Sequence, residues 1–296
     1  MAYRLRILTP AEAHDFDHMT FPAYRSLLSN RTLAAGAYSG KEPVGLALIA
    51  PSSDHTNAEL LSLYVDFPHR QRGLATMLLG HAERTLKKAN ISTIHTSWSE
   101  TLPGAAPFKA ILAKSGWSEP YKRMFTLRGD MDGDFGREVQ EKYPKYKDPC
   151  CMPRAYTLTF WHDMTDADRA LILSKQGDPD WYEPNANPFR DESTMEPANS
   201  LLLRKDGEIT GWLTVHRTAP DTLRYTDVFI RADLKRAGAV SIAMVTHAFW
   251  LHLAEGTPKL TMGVEQDNEP LIRMYVNRMS CAQLSWTWGA EKDISG

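Results

Sequence analysis

The hydrophobic and polar positions of the chain form the same series of predicted strands and helices twice. Alternating apolar and polar residues are typical of strands, whereas apolar residues three and four apart are typical of amphipathic helices. In the first half, the pattern predicts a strand at 3–8, a helix that begins near Pro10, strands at 34–38, 44–50 and 58–66, a helix at 73–88, a strand at 91–98, a helix near 106–115 and a strand at 121–128.

The second half repeats this order. Its predicted elements are a strand at 156–161, a helix near 166–175, strands at 200–204, 209–216 and 223–230, a helix at 239–252, a strand at 259–264, a helix near 270–278 and a strand at 283–288. Thr9 and Thr165 precede the first helix of each half as capping residues. Gly45 and Gly211 occupy the same place in the two hairpins. We therefore predict an α+β fold of two tandem domains, each with a mixed, mostly antiparallel sheet flanked by helices.

Two irregular stretches interrupt the repeat. The stretch 129–152 is rich in Gly, Asp, Lys and Pro and is predicted to be an irregular connection. The predicted division is thus a domain at 1–130, a linker at 131–152 and a domain at 153–296. A second stretch, Gly177–Asn199, is long enough to be a functional loop. Its Trp181 and Tyr182 are predicted either to contact a substrate or to pack against the other domain.

Composition adds a modest charge asymmetry. The 296 residues are 43% hydrophobic and 24% charged, with a formal net charge of −2, which argues against a general nucleic-acid binder. Residues 1–130 carry a net charge of +4 and the remainder −6. A basic first half would suit a phosphate-bearing ligand, although chance variation of the surface explains the imbalance equally well. The sequence contains no run of about 18 apolar residues, so no membrane span is predicted. Three cysteines without a disulfide framework favour a reducing, cytoplasmic setting.

The turn between the strand at 58–66 and the helix at 73–88 carries the clearest chemical signal. Its residues are Arg70, Gln71, Arg72, Gly73, Leu74 and Ala75. Glycine lets the backbone approach a ligand closely, and the first N–H groups of a helix have no partner within it. Together with the positive end of the helix dipole, these donors form an anion site suited to a pyrophosphate. Arg70 and Arg72 add positive charge.

The turn resembles the pyrophosphate signature of the GNAT (GCN5-related N-acetyltransferase) superfamily, (Arg/Gln)-x-x-Gly-x-(Gly/Ala), and the order of elements is similar over nearly the whole chain. The resemblance implies that the backbone N–H groups across Gln71–Thr76 bind the pyrophosphate of acetyl-CoA or another acyl-CoA. It also implies that a splayed strand ending in Leu63, Tyr64 and Val65 binds the pantetheine and the acyl carbonyl. Phe108 is also expected to contact the cofactor. A Rossmann or P-loop domain is disfavoured because neither of their glycine motifs occurs.

The second half departs from this signature. Its equivalent turn is Lys235-Arg236-Ala237-Gly238-Ala239-Val240, in which Lys replaces the first Arg/Gln and Val the last small residue. Valine would crowd the approach of a phosphate, so we expect a degenerate loop here. The tyrosine that serves as general acid in the family is matched in the second half of the chain and not in the first. The second half has Asn268 followed by Tyr275 at the family's spacing, whereas Leu112 occupies that position in the first half.

Acyl transfer to an amine requires a base for the amine and an acid for the leaving thiolate. Glu59 opens the strand where the family often has its base, His95 can accept a proton near neutral pH, and Tyr64 can donate one. Tyr275 is the acid candidate of the second half. Each has a structural alternative, since Glu59 can be a solvated charge and His95 and Tyr64 core residues.

Other chemistries find little support. His14 and His18 lie four apart but lack a third ligand, so no metal site is expected. Cys150 and Cys151 have no histidine beside them in the sequence, and the G-x-S-x-G motif of hydrolases is absent.

The prediction is an acyl-CoA-dependent N-acyltransferase, monomeric or homodimeric, acting on the amine of a small molecule that a cleft between two domains would enclose. No membrane or nucleic acid is expected as a partner. The alternatives are a non-catalytic acyl-CoA-binding or structural protein, and catalysis by the second domain through Tyr275.

Overall fold

The computed structural model describes residues 3–29, 32–53, 55–234 and 238–295. The chain divides into two compact units, and the division falls within two strands. Unit 1 comprises residues 1–124 and 285–296, and unit 2 comprises residues 125–284. The predicted division at 131–152 therefore differs from the structure, because the end of the chain joins the first unit and residues 125–152 join the second.

Unit 1 contains six strands in the order β1-β2-β3-β4-β5-β12. All neighbours are antiparallel except β4 and β5, which run parallel. The strands are β1 (Tyr3–Ile7), β2 (Leu33–Ser39), β3 (Glu42–Pro51), β4 (Asn57–Val65), β5 (Thr93–Ser99) and β12 (Gln283–Asp293), and the helices are α1 (Pro10–Ala13), α2 (Leu74–Lys88) and α3 (Ala105–Lys114).

Each face of this sheet is covered by a different cluster. Leu74, Leu78 and Leu86 lie on one side of α2 and are at most 1% exposed, as expected of an amphipathic helix packed on a sheet. They pack against alternate residues of the strands, such as Ile94 and Ala290. On the other face, Phe16 and its neighbours from the 3-10 segment His14–Met19 cover β2 and β3. We call the α2 side the helix face and the opposite side the open face.

Unit 2 repeats this plan with the order β6-β11-β10-β9-β8-β7. Its parallel pair is β10 and β11, and the pairs β7–β8, β8–β9 and β9–β10 are antiparallel. The strands are β6 (Tyr121–Asp130, shared between the units), β7 (Tyr156–Phe160), β8 (Leu201–Lys205), β9 (Glu208–Ala219), β10 (Thr222–Ile230) and β11 (Lys259–Glu265), and the helices are α4 (Asp134–Lys142), α5 (Asp166–Ser174), α6 (Gly238–Glu255) and α7 (Glu269–Arg278). The predicted fold class is confirmed.

The capping predictions hold at both helix starts. Thr9 and Thr165 each accept the N–H of the third helical residue, while Glu12 and Asp168 accept the N–H of the threonine in return. Each reciprocal pair satisfies two backbone donors that the helix leaves without partners.

Two sequence expectations differ from the structure. The predicted linker contains helix α4, whose Phe135 and Val139 are fully buried. In the loop 177–199, Tyr182 donates a hydrogen bond to the Ile172 carbonyl and Trp181 stacks on Phe229. Both aromatic residues therefore pack within their own unit.

No helix in the described part of the chain is long and apolar enough to cross a membrane. Within the same ranges, no group of three or more His, Cys, Asp or Glu side chains is placed to hold a metal ion.

Candidate active site

The glycine turn of unit 1 has a left-handed backbone at two positions. Gln71 has φ 60° and Gly73 has φ 74°, after which α2 begins at Leu74. The first backbone hydrogen bond of the helix joins the Met77 N–H to the Gly73 carbonyl at 3.0 Å. The N–H groups of the residues before Met77 have no acceptor inside the helix and point out of its first turn. The turn thus presents several backbone donors together with the positive end of the helix dipole.

Space over the turn is open. A Cβ atom added at Gly73 would meet no atom within 4 Å. Gly73 is the N-cap residue of α2 and has no side chain to accept a hydrogen bond from the first turn of the helix. The left-handed backbone explains why glycine is needed there, and the open space means that a ligand can approach the main chain. These features fit a pyrophosphate group.

Arg70 is fixed by the end of β4. Its Nε donates to the Val65 carbonyl at 2.8 Å, and its guanidinium lies 5.8 Å from the Tyr64 ring centre and 5.7 Å from that of Phe67. The exposed guanidinium is therefore held beside the glycine turn by a hydrogen bond and by contacts with two aromatic rings.

Strands β4 and β5 pair along only half of their length. The parallel register runs from Asn57–Thr93 to Leu60–Thr96 and ends there, although β4 continues to Val65 and β5 to Ser99. Thr96 Oγ1 donates to the Leu60 carbonyl at 3.0 Å, so a side chain supplies the last hydrogen bond between the two strands. We call the point after Leu60 and Thr96, where the strands separate, the fork. Beyond this point, the β4 backbone that faces β5 is left to bind something other than a strand. This is the splay that the resemblance implies.

Glu59 and His95 lie side by side just before the fork. They are partners in the parallel register, and His95 is in turn the antiparallel partner of Glu291 on β12. Directly paired residues point to the same face of a sheet. Since their neighbours Leu60, Ile94 and Ala290 belong to the helix face, all three side chains lie on the open face.

The three side chains form an acid–imidazole–acid row. His95 Nδ1 lies 3.4 Å from Glu291 Oε2, with 40% and 51% of the respective side chains exposed. A carboxylate on Nδ1 leaves Nε2 as the free proton acceptor of a neutral imidazole. Glu59 is exposed. The row can therefore accept protons from a ligand on the open face.

The structure separates the other predicted residues of unit 1. Leu63 and Val65 pack on the helix face, so only their backbone is available at the splay. Tyr64 packs partly against the cluster of the open face and lies under the Arg70 guanidinium. Phe108, near the start of α3, makes an edge contact with Trp98 of β5, with ring centres 5.3 Å apart.

Neither tyrosine position of the family pattern offers an exposed hydroxyl. Leu112 is 1% exposed in the core of unit 1. Tyr275 is completely buried in unit 2, burial raises the pKa of its hydroxyl, and that hydroxyl has no hydrogen-bond partner among the described residues.

Unit 2 repeats the fork with different side chains. The parallel register of β10 and β11 ends at Tyr225–Met262, and the register shift between Tyr225 and Asp227 matches that between Leu60 and Ser62 in unit 1. At the position of the Glu59–His95 pair, unit 2 has Arg224 and Thr261. A guanidinium remains protonated at neutral pH and cannot serve as a base.

Most of the turn before α6 (residues 235–237) lies outside the described residues. Val240, which we expected to crowd a phosphate, is 2% exposed within α6.

The sequence alone does not indicate Glu291. It is 196 positions from His95, and only the pairing of β12 with β5 brings the two together. No local pattern in the sequence indicates that the last strand joins unit 1.

Comparison with known proteins agrees with this geometry. Residues 3–107 match the model of the acetyltransferase (GNAT) family. None of the curated proteins matches the sequence. A tandem GNAT protein from the clavulanic acid biosynthesis pathway has a TM-score of 0.64 at 17% identity, and the match covers 98% of each chain.

Two further solved structures share the whole fold. A GCN5-related N-acetyltransferase from Sphaerobacter thermophilus has a TM-score of 0.68 at 15% identity, covering 99% of this chain and 96% of its own. A glucosamine N-acetyltransferase region of a fungal GH3 β-N-acetylglucosaminidase has a TM-score of 0.66 at 13% identity, covering 98% of this chain and 38% of its own. The match to the acetyltransferase (GNAT) family thus covers residues 3–107, and the chain shares its whole fold with these three solved structures.

Proposed function

We propose that the protein is an acyl-CoA-dependent N-acyltransferase, with acetyl-CoA as donor and the amine of a small molecule as acceptor, and that unit 1 carries the site. One observation carries this proposal: the parallel pairing of β4 and β5 ends immediately beyond Glu59 and His95, and β4 then leads into the open glycine turn at Gly73. Strand β4 and the turn that follows it thus supply backbone donors for a pyrophosphate and a free strand edge for pantetheine. The proton acceptors Glu59 and His95 lie on β4 and on its neighbour β5.

The donor would supply a thioester carbonyl at the fork. The backbone N–H groups of the turn would hold its pyrophosphate, and the unpaired edge of β4 would bind the pantetheine amides and polarise the acyl carbonyl. In the reaction, the protonated amine first loses one proton, which goes to solvent. Its nitrogen then forms a bond to the carbonyl carbon and loses a second proton, while the C–S bond breaks and the sulfur gains a proton.

The row on the open face provides the proton acceptors. An amine is protonated at neutral pH and is attracted to Glu59 and Glu291. Glu59 would take the proton directly or through one water, and His95, oriented by Glu291, would pass it to solvent. In unit 2, Arg224 at the position of Glu59 would repel the same substrate, which supports the assignment to unit 1.

Calorimetry with acetyl-CoA tests the cofactor assignment. We expect one site in the wild type and none in Gly73→Glu, because the added carboxylate would occupy the open space and repel phosphate. The matched control is Gly116→Glu, since Gly116 also has a left-handed backbone (φ 75°) and open space around it, but lies at the end of α3. Binding that survives Gly73→Glu and is abolished by Gly238→Glu would move the site to unit 2.

Turnover on a panel of primary amines then separates an enzyme from its non-catalytic alternative. The proposal expects release of free CoA that depends on an amine. Tight binding of acetyl-CoA with no release on any amine would instead favour a protein that binds acyl-CoA without transferring the acyl group.

A further inference from the structure

We propose that Tyr121 is the general acid that returns a proton to the CoA sulfur, an assignment that rests on the proposed function. Leu112 occupies the family's usual position for this group, so unit 1 requires a different donor if it is catalytic. Tyr121 is the first residue of β6 and is 41% exposed.

The ring of Tyr121 extends away from its own strand and lies over β12. A Cβ atom added at Gly289 would come within 2.9 Å of ring atoms Cε2 and Cζ and 3.1 Å of the hydroxyl oxygen. The outer end of the ring therefore rests directly on the Gly289 backbone, and any larger residue at 289 would displace it. This contact gives Gly289 a role that its own backbone conformation does not require.

The contact places the hydroxyl on the open face beside the fork. Gly289 pairs with Ser97 of β5, in the same register in which Glu291 pairs with His95. Residues two apart along a strand share a face and are about 7 Å apart. The Tyr121 hydroxyl thus lies one row beyond His95, at the level where β5 has already separated from β4.

The surroundings of the hydroxyl suit a proton donor. The Tyr121 side chain makes no hydrogen bond with the described residues, so its O–H is available to a ligand. When the C–S bond of the thioester breaks, its electron pair goes to sulfur. The Tyr121 O–H bond then breaks and an S–H bond forms. The exposed phenolate recovers a proton from water.

Tyr64 is the competing donor. It lies on the splayed part of β4, but its ring packs partly in the cluster of the open face and under Arg70. Tyr121 is favoured by its exposed position over the sheet, and Tyr64 is favoured because it lies closer to the glycine turn. Removal of each hydroxyl in turn distinguishes them.

The test compares Tyr121→Phe, Tyr64→Phe and Tyr156→Phe, the last being a half-buried tyrosine on β7 of unit 2 that serves as control. Acetyl-CoA affinity is measured by calorimetry, and kcat is measured by CoA release with the best amine of the panel. We expect Tyr121→Phe to lower kcat about 100-fold and to keep acetyl-CoA affinity within about twofold. Gly289→Ala should lower kcat as well, because it displaces the ring.

Each outcome has one meaning. A wild-type kcat in Tyr121→Phe overturns the assignment but leaves the proposed function intact. A loss of kcat in Tyr64→Phe alone, with acetyl-CoA affinity unchanged, also overturns it and gives the role to Tyr64. A wild type that binds acetyl-CoA but releases no CoA with any amine overturns the proposed function, and this inference fails with it.

Discussion

At the scale of single residues, Gly73 and Gly116 of unit 1 share a backbone conformation but lie at opposite ends of helices, since Gly73 precedes α2 and Gly116 follows α3. Gly73 and Gly116 have φ values of 74° and 75°, and a Cβ atom at either would meet nothing within 4 Å. A left-handed conformation costs an alanine about 1 kcal/mol. Substitution at either position should therefore destabilise the fold equally, whereas only substitution at Gly73 should affect ligand binding.

We expect Gly73→Ala and Gly116→Ala to lower the free energy of unfolding by a similar amount, about 1 kcal/mol each. Only Gly73→Ala should also weaken acetyl-CoA binding, by about tenfold or more, because the methyl group points into the space proposed for the pyrophosphate. Urea unfolding and calorimetry measure the two effects. Equal acetyl-CoA affinities in the two variants would contradict the proposed position of the pyrophosphate.

The Glu59–His95 pair gives a second residue-scale prediction. Glu59→Gln should lower kcat about 100-fold or more with acetyl-CoA affinity unchanged, because the amide cannot accept the amine proton. Arg224→Gln at the equivalent position of unit 2 should leave kcat unchanged. Steady-state kinetics with the best amine of the panel provide the measurement, and a similar effect of the two substitutions would argue against a base at Glu59.

At the scale of elements, α4 shows how a buried charge fixes a helix against a turn. The Glu138 carboxylate accepts hydrogen bonds from the N–H groups of Ser280 and Cys281, both at 2.8 Å, from Ser280 Oγ at 2.5 Å and from Lys142 Nζ at 2.6 Å. Its side chain is 2% exposed. Burial by itself raises the pKa of Glu138, but these hydrogen bonds outweigh it and lower the pKa to about 2.

A carboxyl whose pKa falls from 4.5 to about 2 on folding stabilises the folded state above pH 4.5, and this contribution is lost as the pH falls towards 2. The shift corresponds to roughly 3 kcal/mol. We expect Glu138→Gln to destabilise the protein by about that amount at pH 7 and by less than half of it at pH 3.

Urea unfolding at the two pH values measures this difference. Glu141→Gln removes the same charge from an exposed position of the same helix and is expected to have an effect below about 0.5 kcal/mol. A Glu138→Gln effect that did not shrink at pH 3 would mean that lost packing, and not the ionised carboxylate, is responsible.

The sequence predicted most elements but not α4, for a physical reason. The five buried residues of α2, such as Leu74 and Leu86, mark one face of a long helix. The short α4 is preceded by Gly133 and contains Gly136, a residue with low helix propensity. Gly136 is needed because a Cβ atom there would overlap the Met131 carbonyl oxygen. Only the folded structure reveals this contact.

At the scale of the whole molecule, the two units share their register as well as their order of elements. Gly45 pairs with Val65 and Gly211 with Ile230, and a Cβ atom at either glycine would press against the partner strand's backbone. The sequence could predict the repeat, because these signals are local. It could not predict that β12 returns to unit 1, because the choice of partner strand depends on contacts between distant residues.

The loss of β12 should therefore affect the first unit most. Its Lys292 bonds Glu83 of α2 at 2.7 Å and the Ser115 carbonyl at 2.7 Å, and Glu291 contacts His95. We expect deletion of 285–296 to abolish acetyl-CoA binding and amide-exchange protection in β5, while deletion of only 295–296 preserves both. Hydrogen exchange by mass spectrometry and calorimetry provide the measurement. Protection of β5 that survives the longer deletion would mean that unit 1 forms a stable sheet without β12.

The pairing of Thr93 with Asp293 also has a consequence for synthesis on the ribosome. These partners are about 200 residues apart, which corresponds to roughly 10–40 s of translation. During that interval the nascent chain already has its glycine turn, but β5 lacks its second neighbour and the acid–imidazole–acid row lacks one member. An incomplete chain released early would thus expose a β5 edge open to aggregation or proteolysis, and only chains translated through Asp293 would assemble the site.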